Sequence, residues 1–192
     1  MEHFNQSVPG FFADGDFVFY QEIVQHFVSS TNDPGHFVEV GSYKGRSTSF
    51  LAVEIVNSGR QIQLDCVDTW KGNEEHQAGQ PYDDSDVVND RLFEVFISNM
   101  APVAHVINPV RMTSLEAATR YKDLSLDFVF LDGDHGYEAV KADIQAWLPK
   151  LKPGAILGGH DYSLDWPDVM RAANETFGYV RTVANCWYVV KG

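Results

Sequence analysis

Short apolar runs alternate with amphipathic segments along most of this 192-residue chain. Apolar runs bounded by turn residues predict β-strands, whereas apolar residues at three- and four-residue spacing predict helices. The predicted strands are His36–Val40, Gln61–Val67, Ala104–Asn108, Leu126–Leu131, Ala155–Gly158, Tyr179–Ala184 and Trp187–Val190. The predicted helices are residues 15–29, Gly45–Val56, Asp86–Asn99, Ser114–Tyr121, Tyr137–Leu148 and Pro167–Phe177.

Strands that alternate with helices indicate a parallel sheet covered by helices on both faces. The run Leu126–Leu131 is almost continuously apolar, which is typical of a strand buried on both sides. The last two strands are separated only by a short break at Asn185, so they predict an antiparallel hairpin. We therefore expect one α/β domain over residues 1–192, with a doubly wound, mostly parallel sheet and an antiparallel last strand.

Two segments depart from this alternation. Residues 1–33 read as an N-terminal helical extension whose aromatic side chains pack on the core or line a substrate cleft. Exposed aromatic residues there would also suit a homodimer, although a buried helix explains them equally well. Residues 69–85 are long, polar and aperiodic, and such loops in compact domains are usually functional lids or disordered. We expect a lid, and we interpret its acidic pairs, Glu74–Glu75 and Asp83–Asp84, as solvated.

The chain carries 27 acidic residues against 14 Lys and Arg, a formal net charge of −13. This balance argues against nucleic acid or an anionic membrane as the partner, and it suits a neutral or cationic small molecule. The sequence begins without a basic, apolar leader and contains no apolar run long enough for a membrane span, so the cytoplasm is the expected location. Cys66 and Cys186 predict buried free thiols.

A glycine-rich turn follows the first predicted strand. The spacing is acid-x-Gly-x-x-x-Gly, formed by Glu39, Gly41 and Gly45, and a helical pattern begins directly behind it. Glycine allows a sharp turn and a close approach of the backbone to a ligand, and the helix N-terminus offers free N–H groups. This spacing favours S-adenosylmethionine over a dinucleotide as the cofactor.

Polar residues stand at the carboxyl ends of the predicted strands, where open α/β sheets bind ligands. Asp68 ends the second strand, and its two oxygens could accept both hydroxyls of a ribose. Ser114 follows the third strand, where it could reach an adenine edge or cap the next helix. The fourth strand ends in Asp132-Gly133-Asp134-His135 and the fifth in His160-Asp161, so the sequence predicts one polar site at this edge.

The segment LDGDHGYEAVKADIQAWLPKLKPGAILGGHDY, residues 131–162, resembles the small-molecule O-methyltransferases of the methyltransferase-24 type and, more distantly, catechol-type enzymes. Together with the glycine turn and Asp68, it makes residues 36–192 similar to class I S-adenosylmethionine-dependent methyltransferases. The resemblance implies a Rossmann-like sheet of seven strands and methyl transfer from S-adenosylmethionine to a hydroxyl of a small molecule, either a sugar or a phenol.

The resemblance also implies a set of cofactor contacts. These are Glu39, Gly41, Ser42, Gly45, Asp68, Trp70, Ser114 and Asp132. In this assignment the glycine turn holds the methionine end, Asp68 binds the ribose, Ser114 reaches the adenine and Trp70 flanks it.

Metal-dependent members of the class hold a divalent cation at positions that match Asp132, His160 and Asp161. The imidazole departs from the all-oxygen ligand set that Mg²⁺ prefers and suits Mn²⁺ better, so the metal stays an open expectation. His135 matches the general base of the catechol-type relatives in position. An imidazole suits that role because it titrates near neutrality. His160 and Asp161 are the rival bases.

Two other functions fit parts of the pattern. A non-catalytic S-adenosylmethionine-binding module, acting as a sensor or partner subunit, would bind the cofactor without turnover. A nicotinamide-dependent oxidoreductase is disfavoured by the glycine spacing.

Overall fold

The computed structural model describes residues 1–73 and 76–192, so Glu74 and Glu75 lie outside the described residues. Its strands are β1 Gly35–Val40, β2 Ile62–Asp68, β3 Ile107–Arg111, β4 Leu126–Leu131, β5 Leu151–Gly159, β6 Arg181–Val183 and β7 Cys186–Val190. Its α-helices are α1 Phe17–Ser30, α2 Arg46–Ser58, α3 Ser85–Val88, α4 Leu92–Asn99, α5 Ser114–Ala118, α6 Tyr137–Trp147 and α7 Pro167–Phe177.

All seven of these strands form one sheet in the order β3-β2-β1-β4-β5-β7-β6. The pairs β1–β2, β1–β4, β2–β3 and β4–β5 are parallel, whereas β7 runs antiparallel to both β5 and β6. The predicted doubly wound, mostly parallel sheet with an antiparallel last strand is therefore confirmed. The strand order reverses between β1 and β4, which opens a crevice beyond their carboxyl ends.

Helices cover both faces of the sheet, as expected. On one face, buried side chains of α1, α2 and α4 form an apolar cluster that also contains both free cysteines. On the other face, α5, α6 and α7 pack their apolar sides on the sheet. Among the described residues, none of the helices combines the length and the apolar character that a membrane crossing requires.

Most predicted bounds shift by about one to four residues in the structure. Two of these differences have a clear physical reason. The helix predicted over residues 86–99 is divided into α3 and α4, because Asp90 adopts a φ of +51°, which a right-handed helix cannot accommodate. β3 begins three residues later than predicted, since residues 101–103 form a 3₁₀ turn and the chain turns again before Ile107. Because β3 also ends later, at Arg111, α5 still begins at the carboxyl edge of the sheet.

Candidate active site

A cavity of about 740 Å³ lies at the carboxyl ends of β1, β2, β4 and β5, and this volume is typical of small-molecule sites. Eight of the predicted site residues line it: Gly41, Ser42, Asp68, Ser114, Asp132, His135, His160 and Asp161. The other three, Glu39, Gly45 and Trp70, do not line this cavity.

Gly41 is the point of closest approach between the β1 turn and β4. Its φ is +90°, and a Cβ atom placed there would lie 1.9 Å from the carbonyl oxygen of Asp132. The backbone of Gly41 donates to the Val67 carbonyl at 2.8 Å, and that of Asp132 donates to the Val40 carbonyl at 2.8 Å. Only glycine fits this position, which fixes the floor of the cavity between two strand ends.

Gly45 serves the fold rather than the cavity. It precedes α2 with a φ of +93°, and a Cβ atom there would meet the Met100 side chain at 2.6 Å. The residue therefore allows α2 to start against the segment that follows α4. The cofactor contact expected of Gly45 stays a prediction beside this packing role.

Glu39 is fully buried beneath the glycine turn. Its carboxylate accepts hydrogen bonds from the hydroxyls of Tyr20 at 2.8 Å, Ser42 at 3.0 Å and Thr48. Burial raises the pKa of Glu39, although these hydroxyls partly offset the shift. Glu39 lies outside the cavity lining and holds Ser42, which does line it, while the cofactor contact expected of Glu39 stays a prediction.

Asp68 lines the cavity and fixes the turn above it. Its carboxylate accepts the backbone N–H groups of Tyr43 at 2.8 Å and Trp70 at 2.7 Å, and burial raises its pKa. Trp70 instead lies in the core, 1% exposed, with its ring 4.8 Å from those of Phe93 and Phe96. Its indole N–H donates to the Tyr43 carbonyl at 2.9 Å. Trp70 therefore supports the glycine turn, and the adenine contact expected of it stays a prediction.

Ser114 lines the cavity without capping α5. Thr113 is the N-cap and forms a capping box with Glu116. The Ser114 hydroxyl donates to Asp143 at 2.6 Å and accepts the Trp147 indole N–H at 2.9 Å. Burial raises the pKa of Asp143 to about 6. Sequence patterns missed Asp143, whose position in the middle of α6 carries no local signal.

His135 and Asp161 form a hydrogen-bonded pair beside the cavity. The Nε2 atom of His135 lies 2.9 Å from Oδ2 of Asp161, and the His135 ring packs on Trp166 with 4.2 Å between ring centres. Burial alone would raise the pKa of Asp161, but hydrogen bonds from His135 and His160 hold it well below its usual range. The carboxylate is thus ionised and fixes the orientation of the His135 ring.

His160 lies behind this pair and is enclosed by carboxylates. Its Nε2 atom is 3.1 Å from Asp16, and its Nδ1 atom is 3.3 Å from Asp161 and 3.5 Å from Asp132. Burial opposes a charge on the ring, yet these acids, Asp132 foremost, raise the pKa of His160 to about 12. A group that stays protonated at neutral pH is poorly suited to accept a proton, so the geometry does not favour His160 as a base.

Asp16 was missed because it stands 144 positions before His160 and looks like an ordinary residue ahead of a helix. Its side chain is fully buried. The carboxylate also accepts the backbone N–H groups of Ala13 and Asn185 at 3.0 Å. The N-terminal segment and the hairpin between β6 and β7 thus meet at one acid below the cavity.

The described residues include two groups of side chains that could hold a cation, and neither is the expected set: Asp16, His160 and Cys186, all buried, and a second group at the cavity. Asp132, His135 and Asp161 each place a ligand atom within 4.8 Å of the others. The two ring nitrogens of His160 instead face carboxylates. One imidazole and two carboxylates fit Mn²⁺, Fe²⁺ or Zn²⁺ better than Mg²⁺, which prefers oxygen ligands.

Four rings at the mouth of the cavity form what we call the aromatic rim: Phe11, Tyr43, His76 and Tyr82. Tyr43 and His76 stack with 5.3 Å between ring centres, and Phe11 lies 5.6 Å from Tyr82 and 5.8 Å from Tyr43. Sequence patterns offered no link between these residues, because they come from three separate segments. Only tertiary structure collects them.

The predicted lid is attached to the glycine turn. The Lys44 ammonium lies 2.7 Å from Asp84 and 2.8 Å from Asp86, and the Tyr43 hydroxyl also donates to Asp84. Asp84 caps α3 as well, by accepting the N–H of Asp86. The interpretation of Asp84 as a solvated charge was wrong, since its side chain is only 10% exposed. Glu74–Glu75 of the same loop lies outside the described residues.

A family model described as a methyltransferase domain, that of the methyltransferase-24 family, matches residues 38–162. The fold and this match define a class I S-adenosylmethionine-dependent methyltransferase. Within that class, the chain belongs to the methyltransferase-24 family.

Known proteins similar to the chain differ in size and in what they are described as acting on. An uncharacterized protein of Sinorhizobium fredii, y4gI, is 28% identical over 128 residues, and the match covers 67% of this chain but only 13% of that protein. The chain therefore spans a small part of this curated relative.

The solved structures share the fold at low identity. The O-methyltransferase NovP has a TM-score of 0.67 at 18% identity, covering 91% of this chain and 78% of its own. CalS11, a calicheamicin methyltransferase, has a TM-score of 0.65 at 18% identity, covering 92% and 79%. A candidate rRNA methylase of Clostridium thermocellum has a TM-score of 0.61 at 12% identity, covering 94% and 98%.

Proposed function

We propose that this protein transfers a methyl group from S-adenosylmethionine to a hydroxyl of a small molecule, with His135 as the general base. One observation carries the proposal. A single cavity joins Ser42 and Asp68, at the ends of β1 and β2, to the His135–Asp161 pair beyond β4 and β5. This adjacency supports a cofactor site beside a group that accepts the hydroxyl proton.

The residues present fit the cofactor. Asp68 uses one lone-pair site of each oxygen on a backbone N–H, and a carboxylate has further sites for ribose hydroxyls. The acids Asp132 and Asp161 line the same cavity and favour a positively charged sulfonium there. When bound, S-adenosylmethionine supplies the electrophilic methyl group, with the new O–C bond forming as the S–C bond breaks.

The residues of the chain then have a modest task. His135 accepts the proton of the acceptor hydroxyl, while the ionised Asp161 fixes its ring and stabilises the imidazolium that forms. His160 offsets the charge that Asp132 and Asp161 would otherwise place together. A placed base of this kind contributes roughly 10²- to 10⁴-fold in rate.

In an alternative arrangement, the same side chains would bind a divalent cation. Asp132, His135 and Asp161 would hold it, and it would make a bound hydroxyl more acidic. The base role needs His135 Nε2 hydrogen-bonded to Asp161, whereas in a metal site Asp161 would bind the cation instead. Metal assistance and base catalysis by His135 are therefore separable by experiment.

Calorimetric titration with S-adenosylhomocysteine tests the cofactor site. Binding is expected, and no heat and no thermal shift at millimolar ligand would overturn the proposal.

Transfer of a labelled methyl group to a panel of sugars and phenols, with and without EDTA, then tests the reaction. His135→Ala should lower turnover by about 10²- to 10⁴-fold with unchanged affinity for S-adenosylhomocysteine. Activity that EDTA abolishes and Mn²⁺ restores would assign His135 to the metal instead.

The alternative function, a non-catalytic S-adenosylmethionine-binding module, leads to the opposite prediction. It would bind S-adenosylhomocysteine and transfer nothing to any acceptor. The cytoplasmic location, the lack of a nucleic-acid or membrane partner and a homodimer stay predictions of the sequence.

A further inference from the structure

The cavity is rich in acids and poor in available cations. Five aspartates line it: Asp68, Asp132, Asp134, Asp143 and Asp161. Among the described lining residues, Arg46 is the sole Lys or Arg. The His160 imidazolium also lines the cavity but already faces three carboxylates, so a phosphate group entering here would meet several negative charges at short range.

Arg46 is already committed to the N-terminal segment. Its Nε atom donates to the Phe12 carbonyl at 2.9 Å, and its terminal nitrogens donate to the carbonyls of Asn5 at 3.3 Å and Val8 at 3.2 Å and to the Gln6 side chain at 3.4 Å. These bonds hold residues 5–12 against the start of α2. Releasing the guanidinium for a phosphate would detach the wall that this segment forms.

The aromatic rim offers a different kind of contact. Phe11 is 64% exposed and Tyr82 is 45% exposed, although both are large rings at the mouth of a cavity. Phe12, the next residue, packs its ring 4.8 Å from that of His160. Phe11 of the rim therefore directly precedes the residue that packs on His160 and its surrounding acids. A planar apolar ring on the rim would lose contact with water and gain ring–ring contacts.

We propose that the acceptor is a phenol without a phosphate group, whose ring lies on the aromatic rim and whose hydroxyl points towards His135. This inference rests on the proposed function and narrows its acceptor from sugars and phenols to phenols. It also excludes acceptors carried on a nucleoside diphosphate or a coenzyme A thioester. CalS11, described as a TDP-rhamnose 3'-O-methyltransferase, shares the fold, so the fold alone does not decide this point.

Titration calorimetry on the intact protein saturated with S-adenosylhomocysteine provides the test. The probes are catechol (1,2-dihydroxybenzene), methyl α-rhamnoside and TDP-rhamnose. Catechol should bind at least about tenfold more tightly than either sugar, because the rim supplies ring contacts and the acids repel the diphosphate. Tighter binding of TDP-rhamnose or of the rhamnoside would overturn the inference.

Substitution of the rim supplies the second measurement. Phe11→Ala should weaken catechol binding by about fivefold to tenfold, since one ring contact is lost. The matched control is Tyr179→Ala, because Tyr179 is 76% exposed and lies outside the cavity lining. Equal catechol affinity in both variants would refute the role of the rim. Cofactor binding without any catechol binding would overturn this inference alone, whereas absent cofactor binding would overturn the proposed function.

Discussion

Replacing Gly41 by alanine tests whether the close approach of β1 and β4 builds the cofactor floor. Two separate effects act on the added methyl group. The φ of +90° is a conformation that costs an L-residue about 1–2 kcal/mol. The Cβ atom would also lie 1.9 Å from the Asp132 carbonyl oxygen and 2.4 Å from its carbonyl carbon. These are backbone atoms of a central strand end, so no side chain can rotate away.

The steric cost at Gly41 can be separated from the conformational cost, because the chain contains a second glycine with a similar φ. Gly154 has a φ of +82° with no atom within 4 Å of its added Cβ, so Gly154→Ala measures the conformational penalty alone. Overpacking adds about 1–3 kcal/mol at Gly41. We therefore expect a loss of about 2–5 kcal/mol for Gly41→Ala against about 1–2 kcal/mol for Gly154→Ala.

Urea unfolding and calorimetry with S-adenosylhomocysteine measure both consequences. Each kcal/mol lowers the Tm of a domain of this size by about 2–4 °C. Gly41→Ala should also bind S-adenosylhomocysteine at least tenfold more weakly, because the turn must move by roughly 1 Å to relieve the contact. Gly154→Ala should bind it normally. Equal stability and equal affinity in the two variants would refute the reasoning.

Two further substitutions test the charges around the cavity. Asp16→Asn leaves His160 without one partner of a buried pair, so it should cost about 3–5 kcal/mol at pH 7 in urea unfolding. Burial alone would raise the pKa of Asp16, but the hydrogen bond from His160 lowers it, so its contribution is full above its ordinary pKa and is lost as the pH falls through the lowered value. The variant and the natural protein should therefore converge in acid, and a constant difference would contradict the assignment. Asp84→Asn should release the lid from Lys44 and cost about 1–3 kcal/mol, seen as faster hydrogen exchange over residues 76–84. Asp83→Asn, at the exposed neighbour, is the control, and equal exchange in both variants would contradict the attachment.

The sheet could be predicted from the sequence because its signals are local. Each central strand is a short apolar run next to a turn, and Leu126–Leu131 and Pro167–Phe177 have in the structure the bounds that the pattern predicts. The glycine turn was predictable for the same reason, because a glycine directly after an apolar strand indicates a sharp change of chain direction. β3 was misplaced because Asn108, Pro109 and Arg111 interrupt its apolar pattern.

The site was only partly predictable, because its geometry depends on contacts distant in sequence. The acids at the ends of β2, β4 and β5 could be expected to converge, since parallel strands bring their carboxyl ends together. No pattern could show that Asp16 encloses His160, or that the side chains of Glu39 and Trp70 turn inward to support the glycine turn. Those directions depend on packing rather than on spacing.

The first sixteen residues lie outside the span shared with the methyltransferase-24 family, yet they contribute Phe11, Phe12 and Asp16 to the cavity and its support. The leading stretch thus adds one wall to a cavity whose other lining residues come mostly from the shared span. Exchanging the leading stretch would change the Phe11 side of the cavity while Gly41, Ser42 and Asp68 stay in place. A protein shortened to begin at α1 would lose Asp16 and leave the His160 ring with the two remaining acids, Asp132 and Asp161.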